Sequence, residues 1–249
     1  MYKTLISKIK EKKPLDRLDN VFVKTFIEKF FNTNPKIKKK FNENKFKKKD
    51  LEYVIKNVRN ELNRIYGQFW LDKDLELSSH KSTKERRNYY SYIYKKILEY
   101  TGKPGKVLDL GAGLNPLSYH ILGRDIYFIA TELTDYDCNI IKDIFRKNKI
   151  KGDVIKLDLF SYNNLPKADV CFMFKLLDAL DINDHKFSEK LMKNIDVKYV
   201  VVSFSTKSIR DKRMNYPRRG WFEIMLNRLN YKFTKFEIEN EIFYVVCKN

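Results

Sequence analysis

The sequence predicts an α/β fold in which a helical region precedes a sheet of seven mostly parallel strands. Residues 1–100 contain segments whose apolar residues recur every three or four positions, the period of an amphipathic helix. From residue 106 onward, short β-branched and aromatic runs alternate with helix-sized intervals, which is typical of βαβ units. The last two runs are separated only by ENE, which is too short for a crossover and therefore predicts an antiparallel hairpin.

The helical region is predicted to form the N-terminal domain. Its segments lie near residues 3–12, 20–32, 50–66 and 84–101. Pro14 and Pro35 interrupt the pattern, and the segment GKPGK at 102–106 separates this region from the strands. We therefore expect a helical domain at residues 1–101 and a sheet domain at residues 102–249.

The seven strands predict the class of sheet. They are expected at KVLDL (106–110), IYFIAT (126–131), DVIKL (153–157), DVCFMF (169–174), KYVVVSF (198–204), YKFTKFEI (231–238) and IFYVVC (242–247). The first five are separated by helix-sized intervals, which is the signature of βαβ units and of a parallel sheet covered on both faces. Five parallel strands closed by an antiparallel hairpin form the Rossmann-like sheet of a class I methyltransferase fold, rather than that of a plain dinucleotide-binding domain.

Positive charge is concentrated toward the N-terminus. The formal net charge is +19, and residues 1–105 carry 27 Lys and Arg against 13 Asp and Glu. The densest run, residues 36–49, has eight lysines and one glutamate. Such a run suits a nucleic-acid backbone, where each neutralised phosphate releases counterions. The alternative is a solvated, lysine-rich surface from a lineage with AT-rich codons. The RNA-binding candidates are Lys36, Lys38, Lys39, Lys40, Lys47, Lys48 and Lys49.

The sequence argues against membrane, secretory and metal-binding classes. No apolar run reaches the roughly 18 residues that a membrane span needs, and the N-terminal segment MYKTLISKIKEKK is too charged for a signal peptide. Cys138, Cys171 and Cys247 are far apart and lack zinc-site spacing, so we expect core thiols in a reducing cytosol. The three histidines are equally scattered, and no metal is expected. These features predict a cytoplasmic chain.

The turn after the first predicted strand carries a ligand-binding pattern. In KVLDLGAGLNPL, Asp109 is followed by Gly111, Ala112 and Gly113, and Asn115-Pro116 is expected to start a helix with Asn115 as its cap. A dinucleotide would require a third glycine and a helix N-terminus that faces its pyrophosphate. S-adenosylmethionine has no pyrophosphate, and two glycines let the chain pass its methionine moiety. The turn therefore favours this cofactor.

Acids end the next two predicted strands. Glu132, followed by Leu133, is placed to accept hydrogen bonds from both ribose hydroxyls. Asp158, followed by Leu159, lies where the adenine amino group would lie. Each acid alone could instead close its strand and cap the following helix. Their register with DLGAG favours cofactor binding.

Several motifs together resemble one enzyme family. They are STKER (82–86), LDLGAGLNPL (108–117), FKLLDALD (174–181), VVSFSTKS (201–208) and Met214 with WFE (221–223). Over about residues 75–225 the chain resembles the aminoglycoside-resistance 16S ribosomal RNA methyltransferases. Enzymes of that family methylate guanine N7 in the decoding site, use S-adenosylmethionine, and join a basic helical domain to a class I domain. The resemblance implies ribosomal RNA or the 30S subunit as partner, and we expect a monomer.

The resemblance also implies roles for individual residues. Arg86 would meet the cofactor carboxylate, for which a guanidinium is well suited. Lys175 would border both the cofactor and the catalytic pocket, which Ser203, Thr206 and Lys207 would line. The following loop would contact the target through Arg210, Lys212, Arg213, Arg218 and Arg219. Alternatively, Arg86 is a surface-helix arginine and the loop is simply solvated.

The chain differs from the family pattern at a few positions. Ala112 replaces a usual cysteine, Ser205 a usual proline and Arg218 a usual tyrosine, and the segment between Ser208 and Met214 is about two residues short. These differences lie around the expected RNA target more than around the cofactor.

Several motifs that other methylation reactions require are absent from the sequence, which argues against those reactions. Amine methylation usually needs an Asn/Asp-Pro-Pro-aromatic motif after the fourth strand, where this chain has FKLLD. Methylation at cytosine C5 needs a cysteine nucleophile, and Cys171 lies within the fourth strand rather than beyond it. No Lys-Asp-Lys-Glu set for ribose methylation is evident. Guanine N7 has a free lone pair and no proton to lose, so alignment and electrostatics suffice.

Three hypotheses stay open: a 16S guanine-N7 methyltransferase, a related enzyme on transfer RNA or another RNA, and a catalytically silent RNA-binding or ribosome-assembly factor.

Overall fold

The chain forms two compact units. The structure is a computed structural model, and it describes residues 1–69, 85–181, 185–207 and 218–248. The two units span residues 1–79 and 80–249. The sequence placed the boundary after residue 101, because the segment before it continues a series of helices. In the structure that last helix packs on the sheet of the second unit, so the boundary lies earlier in the chain.

Four α-helices lie in residues 1–69, the described part of the first unit. They are α1 (Tyr2–Lys10), α2 (Asn20–Thr33), α3 (Pro35–Asn42) and α4 (Lys48–Ile65). In α4 the buried residues Val54, Val58 and Leu62 recur every four positions and face α1 and α2. This spacing is the signal that predicted helices near 3–12, 20–32 and 50–66.

Helix α3 was not predicted, because lysines dominate its sequence. Pro35 occupies its first position, where the missing N–H costs no hydrogen bond. Phe41 is its buried residue, and its ring lies 4.9 Å from that of Tyr2 and 4.8 Å from that of Phe31. The phenylalanine within the lysine run is therefore a core residue.

Seven strands build the sheet of the second unit: β1 (Lys106–Leu110), β2 (Tyr127–Glu132), β3 (Gly152–Lys156), β4 (Val170–Phe174), β5 (Tyr199–Ser205), β6 (Lys232–Ile238) and β7 (Glu241–Cys247). Their order is β3-β2-β1-β4-β5-β7-β6. The first five strands are parallel, and β7 is antiparallel to both β5 and β6. The predicted mostly parallel sheet with a terminal hairpin is confirmed.

Helices cover both faces of this sheet. They are α5 (Tyr90–Thr101), α6 (Tyr119–Leu122), α7 (Asp135–Asn148), α8 (Leu177–Leu180), α9 (Lys186–Asn194) and α10 (Gly220–Arg228). Helix α5 buries Tyr90, Ile93, Tyr94 and Ile97 in the same cluster as β1 and β4 residues, and the Tyr94 ring stacks 6.1 Å from that of Phe172. Residues of α9 and α10 join the cluster on the other face.

The predicted core thiols lie in elements of the second unit. Cys138 on α7 and Cys171 on β4 are buried, and Cys247 on β7 is half-buried. Burial raises the pKa of Cys138 to about 11 and raises that of Cys171 well above its ordinary value. Over the described ranges, no group of three or more potential ligands is arranged to hold a metal. In those same ranges no helix is long and apolar enough to cross a membrane.

Candidate active site

The predicted ligand-binding residues converge at the carboxyl edge of the sheet. Strand β1 lies between β2 and β4, and the chain connections lead away from β1 in opposite directions on its two sides. A crevice opens at such a point in parallel sheets, outside the strand ends. The turn after β1 and the ends of β2 and β3 all reach this crevice.

Asp109 is a buried acid near the end of β1. It is 1% exposed and accepts a hydrogen bond from Asn115 Nδ2 at 2.7 Å. The Tyr90 hydroxyl donates to Asn115 Oδ1 at 2.6 Å, which fixes the amide. Burial raises the pKa of Asp109 to about 7, although Asn115 and Arg86 oppose this shift.

The expected cap at Asn115 is wrong. Residues 115–118 form a 3₁₀ turn that follows Leu114 as its cap, and the structure shows no side-chain cap there. The amide of Asn115 instead binds Asp109. The side chain thus orients a site carboxylate rather than beginning the helix.

Gly111 and Gly113 shape the turn itself. Both have positive φ, +64° and +53°, which side chains with a Cβ rarely adopt. A Cβ on Gly111 would also lie 3.0 Å from Leu176 Cδ1. Two β2 contacts hold the turn: Ala112 N donates to the Thr131 carbonyl at 3.0 Å, and Gly111 N donates to Thr131 Oγ1 at 3.3 Å. The backbone therefore stays close to the crevice without side chains in between.

Glu132 ends β2 beside this turn. Its carboxylate accepts from Gly113 N at 2.6 Å and from Leu133 N at 3.3 Å. Desolvation and the nearby carboxylate of Asp137 raise the pKa of Glu132 to about 8. A carboxylate has about four acceptor positions, so two backbone donors leave capacity for ligand hydroxyls.

Asp158 follows β3 and organises its own turn. It accepts hydrogen bonds from Phe160 N and Ser161 Oγ, both at 2.8 Å. This local capping is the alternative role that the sequence left open, and it uses part of the acceptor capacity of the carboxylate. The next residue, Leu159, is buried in the same apolar cluster as Leu108 and Leu110 of β1.

Lys175 begins the connection after β4 in an unusual conformation. Its φ is +55°, in the left-handed region. Its backbone N–H lies 3.0 Å from both the carbonyl oxygen and Oγ of Ser203 on β5. Its Nζ lies 2.5 Å from Glu85 Oε2 and 3.4 Å from Glu241 Oε2. Strained backbone held by surrounding contacts is frequent at functional sites.

Arg86 is buried rather than a surface arginine. Its guanidinium lies 4.9 Å from the Phe174 ring centroid, and its Nε is 3.8 Å from Glu241 Oε2. Glu241 and Asp109 favour the charged form and raise its pKa, although burial opposes them. Arg86 thus belongs to the wall of the site, next to Lys175.

Glu241 is a site residue that the sequence reasoning missed. It opens β7, is fully buried, and accepts a hydrogen bond from the Ser203 hydroxyl. Arg86 and Lys175 both lie within 4 Å of its Oε2, so the two cations share this carboxylate, and Lys175 pairs with Glu85 as well. In the sequence it is one of two glutamates in a hairpin turn, and only the fold distinguishes it from exposed Glu239.

Thr206 and Lys207, which follow β5, contact the turn between β6 and β7. Thr206 N donates to the Asn240 carbonyl at 3.0 Å, and Lys207 Nζ lies 3.8 Å from Glu239 Oε1. Arg218 pairs with Glu223, and Arg219 pairs with Asp178. The predicted target contacts Arg210, Lys212 and Arg213 lie outside the described residues.

The chain matches one protein family over most of its length. The family model described as "Ribosomal RNA methyltransferase (FmrO)" matches residues 74–245. This chain belongs to that family. A "16S rRNA (guanine(1405)-N(7))-methyltransferase" of Proteus mirabilis is 30% identical over 186 residues, covering 69% of this chain and 64% of that relative. One with the same description from Micromonospora rosea is 24% identical over 230 residues, covering 80% and 84%. The chain thus spans just under two thirds of the first relative.

Solved structures of similar fold extend over the whole chain. The 16S rRNA methylase RmtB is 21% identical with a TM-score of 0.78, and the match covers 100% of this chain and 99% of RmtB. RmtF, solved in complex with S-adenosyl-L-homocysteine, is 19% identical with a TM-score of 0.77 and coverage of 100% and 98%. The predicted class I fold and the family resemblance are both confirmed.

The FmrO match divides the candidate residues into two groups. It covers every predicted cofactor and catalytic residue, from Arg86 to Lys207, and also Glu241. It begins after the lysine run of the first unit, in which Lys38 is half-buried and the other predicted RNA-binding lysines are exposed. Lys40 there pairs with Asp50 at 2.8 Å. The roles of the individual residues stay predictions.

Proposed function

We propose that this chain transfers a methyl group from S-adenosylmethionine to N7 of a guanine in 16S ribosomal RNA. The supporting observation is the convergence, in an FmrO-family chain, of a two-glycine turn with acids from three successive strands at one sheet edge. The FmrO relatives from Proteus mirabilis and Micromonospora rosea carry this activity in their descriptions.

The residues present fit the cofactor. Glu132 keeps acceptor capacity for ribose hydroxyls, and the positive-φ glycines leave room for close approach of a ligand. S-adenosylmethionine supplies, when bound, a methyl group on a positively charged sulfur, which suits a crevice lined by carboxylates. The residues that would hold it are Arg86, Asp109, Gly111, Ala112, Gly113, Glu132, Leu133, Asp158, Leu159 and Lys175.

For methylation at guanine N7 the protein has to position the two reactants, and it does not have to remove a proton. Guanine N7 attacks with its own lone pair and loses no proton, so effective molarity and fixed charges carry the rate. Lys175 is held between Glu85 and Glu241, and its backbone is fixed by Ser203. We assign these residues to the pocket wall, where they fix the charge around the acceptor. Lys207 lies two residues after the end of β5 and would line the same side.

The RNA partner would also contact the exposed lysines of the first unit. Lys36, Lys39, Lys47, Lys48 and Lys49 are exposed on α3 and the start of α4. Lysines interact with phosphates through charge and carry no sequence information themselves. They would supply affinity, while the sheet edge selects the base. We expect the chain to act as a monomer.

Methyl transfer to defined RNAs tests this function. Isolated 30S particles, naked 16S ribosomal RNA and transfer RNA are each incubated with the chain and tritiated-methyl S-adenosylmethionine. We expect label in 30S particles, and mass spectrometry should identify the labelled nucleoside as 7-methylguanosine. Label only in transfer RNA would favour the second enzyme hypothesis. No label on any RNA, together with no calorimetric cofactor binding, would favour a silent RNA-binding factor.

A further inference from the structure

Arg219 joins three elements at the carboxyl edge of the sheet. Its Nη2 donates to Asp178 Oδ2 on α8 at 2.8 Å and to the Ser205 carbonyl oxygen of β5 at 2.9 Å. Its guanidinium lies 5.3 Å from the Phe204 ring centroid. Arg219 directly precedes α10, and its side chain is 11% exposed. We call Arg219, Asp178 and the Ser205 carbonyl the acceptor-side clamp.

A second contact joins the same regions independently. The ring of His185, which precedes α9, stacks on the Trp221 ring of α10 with centroids 3.8 Å apart and an interplanar angle of 6°. Trp221 packs edge-on against Phe204 at 5.7 Å. The connection after β4 is therefore attached to the start of α10 at two places.

The start of α10 is also tied to β7. The backbone N–H of Arg219 donates to the Tyr244 hydroxyl at 3.1 Å. That hydroxyl donates in turn to Glu223 Oε1 at 3.0 Å, and Arg218 and Lys235 pair with the same carboxylate. Arg219 of the clamp is therefore hydrogen-bonded to a strand of the sheet as well as to α8 and β5.

The clamp lies on the half of the sheet opposite the cofactor acids. Asp109 and Glu132 lie on β1 and β2, and Asp158 follows β3. In the clamp, Asp178 lies after β4, Ser205 ends β5, and Arg219 is bonded to Tyr244 of β7. A cofactor bound by these acids would lie over the first half of the sheet and leave the second half for the acceptor base. The clamp supports the surface of that second half.

We infer that Arg219 is a positioning residue for the acceptor RNA, acting through Asp178 and the Ser205 carbonyl. The clamp holds the acceptor-side surface in one arrangement before the RNA arrives, which lowers the ordering cost of binding. The inference rests on the proposed function and deepens it. It replaces the sequence-based expectation that Arg219 itself contacts the RNA with a role through its neighbours.

A mutant cycle tests the clamp. Arg219→Ala, Asp178→Asn and the double variant are compared for cofactor Kd by calorimetry and for kcat and KM on 30S particles. We expect KM for 30S to rise about tenfold in each single variant, within the usual range of contact coupling, while cofactor Kd stays within about twofold. The double variant should be no worse than the singles, because each single variant already removes the ion pair between Arg219 and Asp178. Arg219→Lys, which keeps the charge but not the planar fork, should fall in between.

Arg228→Ala is the matched control. Arg228 lies at the other end of α10, is 61% exposed, and pairs with Glu189 of α9. It should keep native KM and kcat. Asp178→Asn preserves the shape of the side chain, so its KM for 30S particles still tests the clamp even if Arg219→Ala does not fold.

Three outcomes would overturn the role of Arg219. These are native KM in Asp178→Asn, multiplicative losses in the double variant, and a loss of cofactor affinity proportional to that in KM. If the native chain leaves guanine in 30S particles unmethylated, the proposed function itself fails. Native activity with an unchanged Asp178→Asn variant contradicts only the clamp.

Discussion

Asp109 binds its proton more tightly in the folded chain than in the unfolded one. Burial raises its pKa from the ordinary 3.8 to about 7. Between these values the folded state holds more protons than the unfolded state, so the free energy of unfolding falls as pH rises. Above about pH 7 both states are ionised and this dependence ends.

Asp109→Asn should remove this titration while keeping the shape of the side chain. Relative to the native chain, its free energy of unfolding should rise by about 2 kcal/mol between about pH 5.5 and about pH 8. Urea unfolding of both chains without cofactor measures the difference. Glu132, whose pKa is also raised, titrates in both chains; burial is the largest cause of that shift and the charge of Asp109 the smallest, so most of its pH dependence is common to both. A difference that is constant with pH would contradict the raised pKa of Asp109.

Glu241 is the anion between two buried cations, and neutralising it should destabilise the fold. In Glu241→Gln the buried charge of Arg86 loses this carboxylate, whereas Lys175 keeps Glu85, and breaking a buried pair costs on the order of 3 kcal/mol. Urea unfolding measures the change. The control is Glu239→Gln two residues earlier: its side chain is 64% exposed beside Lys207, so no measurable change is expected. Equal stability of both variants would show that the buried pairing contributes nothing.

Glu241 is an example of a site residue that could not be predicted from the sequence. Asp109, Gly111, Gly113 and Glu132 were predictable because they follow strands in a fixed local order. The importance of Glu241 depends on Arg86, which lies far earlier in the chain and meets it only when the sheet has formed. No local pattern distinguishes such a residue.

Among elements, strands were predictable and two helices were not assigned correctly. Strands β1, β4, β5 and β7 are short runs that are buried at nearly every position, β6 alternates apolar and polar residues, and both signals are local. Helix α3 was missed because Phe41 is its single fully buried residue among lysines. Helix α5 was recognised but placed in the wrong unit. Its period shows that it has an apolar face, but not that this face packs on the sheet.

The lysines on α3 and the start of α4 should act as one RNA-binding element. Replacing Lys36, Lys39, Lys47, Lys48 and Lys49 by Gln should weaken 16S RNA binding and lower its salt slope by about 0.7–0.9 for each phosphate that the variant no longer neutralises. Filter binding over a series of salt concentrations measures both quantities. The control replaces exposed Lys147, Lys149 and Lys151 of the second unit, and the two variants are compared per lysine replaced. Equal reductions per lysine would mean that overall charge, and not this element, sets the affinity.

At the scale of the molecule, basic charge is shared between the two units. Residues 1–79 carry 20 Lys and Arg against 11 Asp and Glu, and residues 80–249 carry 31 against 21. The net charges are thus +9 and +10, but the first unit is less than half as long. Its higher charge density, without any cofactor residue, suits sequence-independent attraction of RNA. The predicted cofactor residues, the acids and the glycine turn, all lie in the second unit.

This division of labour predicts that cofactor and RNA binding can be removed separately. Asp109→Ala should abolish cofactor binding in calorimetry, because the buried carboxylate and its bond to Asn115 order the turn, and RNA affinity should stay native. The five-lysine variant should show the reverse: native cofactor Kd and weakened RNA binding. Because the two groups of residues belong to different units, the combined variant should show both losses without interaction. A fall in cofactor affinity in the five-lysine variant would mean that the lysines also support the cofactor site, and the two units could not then be assigned separate tasks.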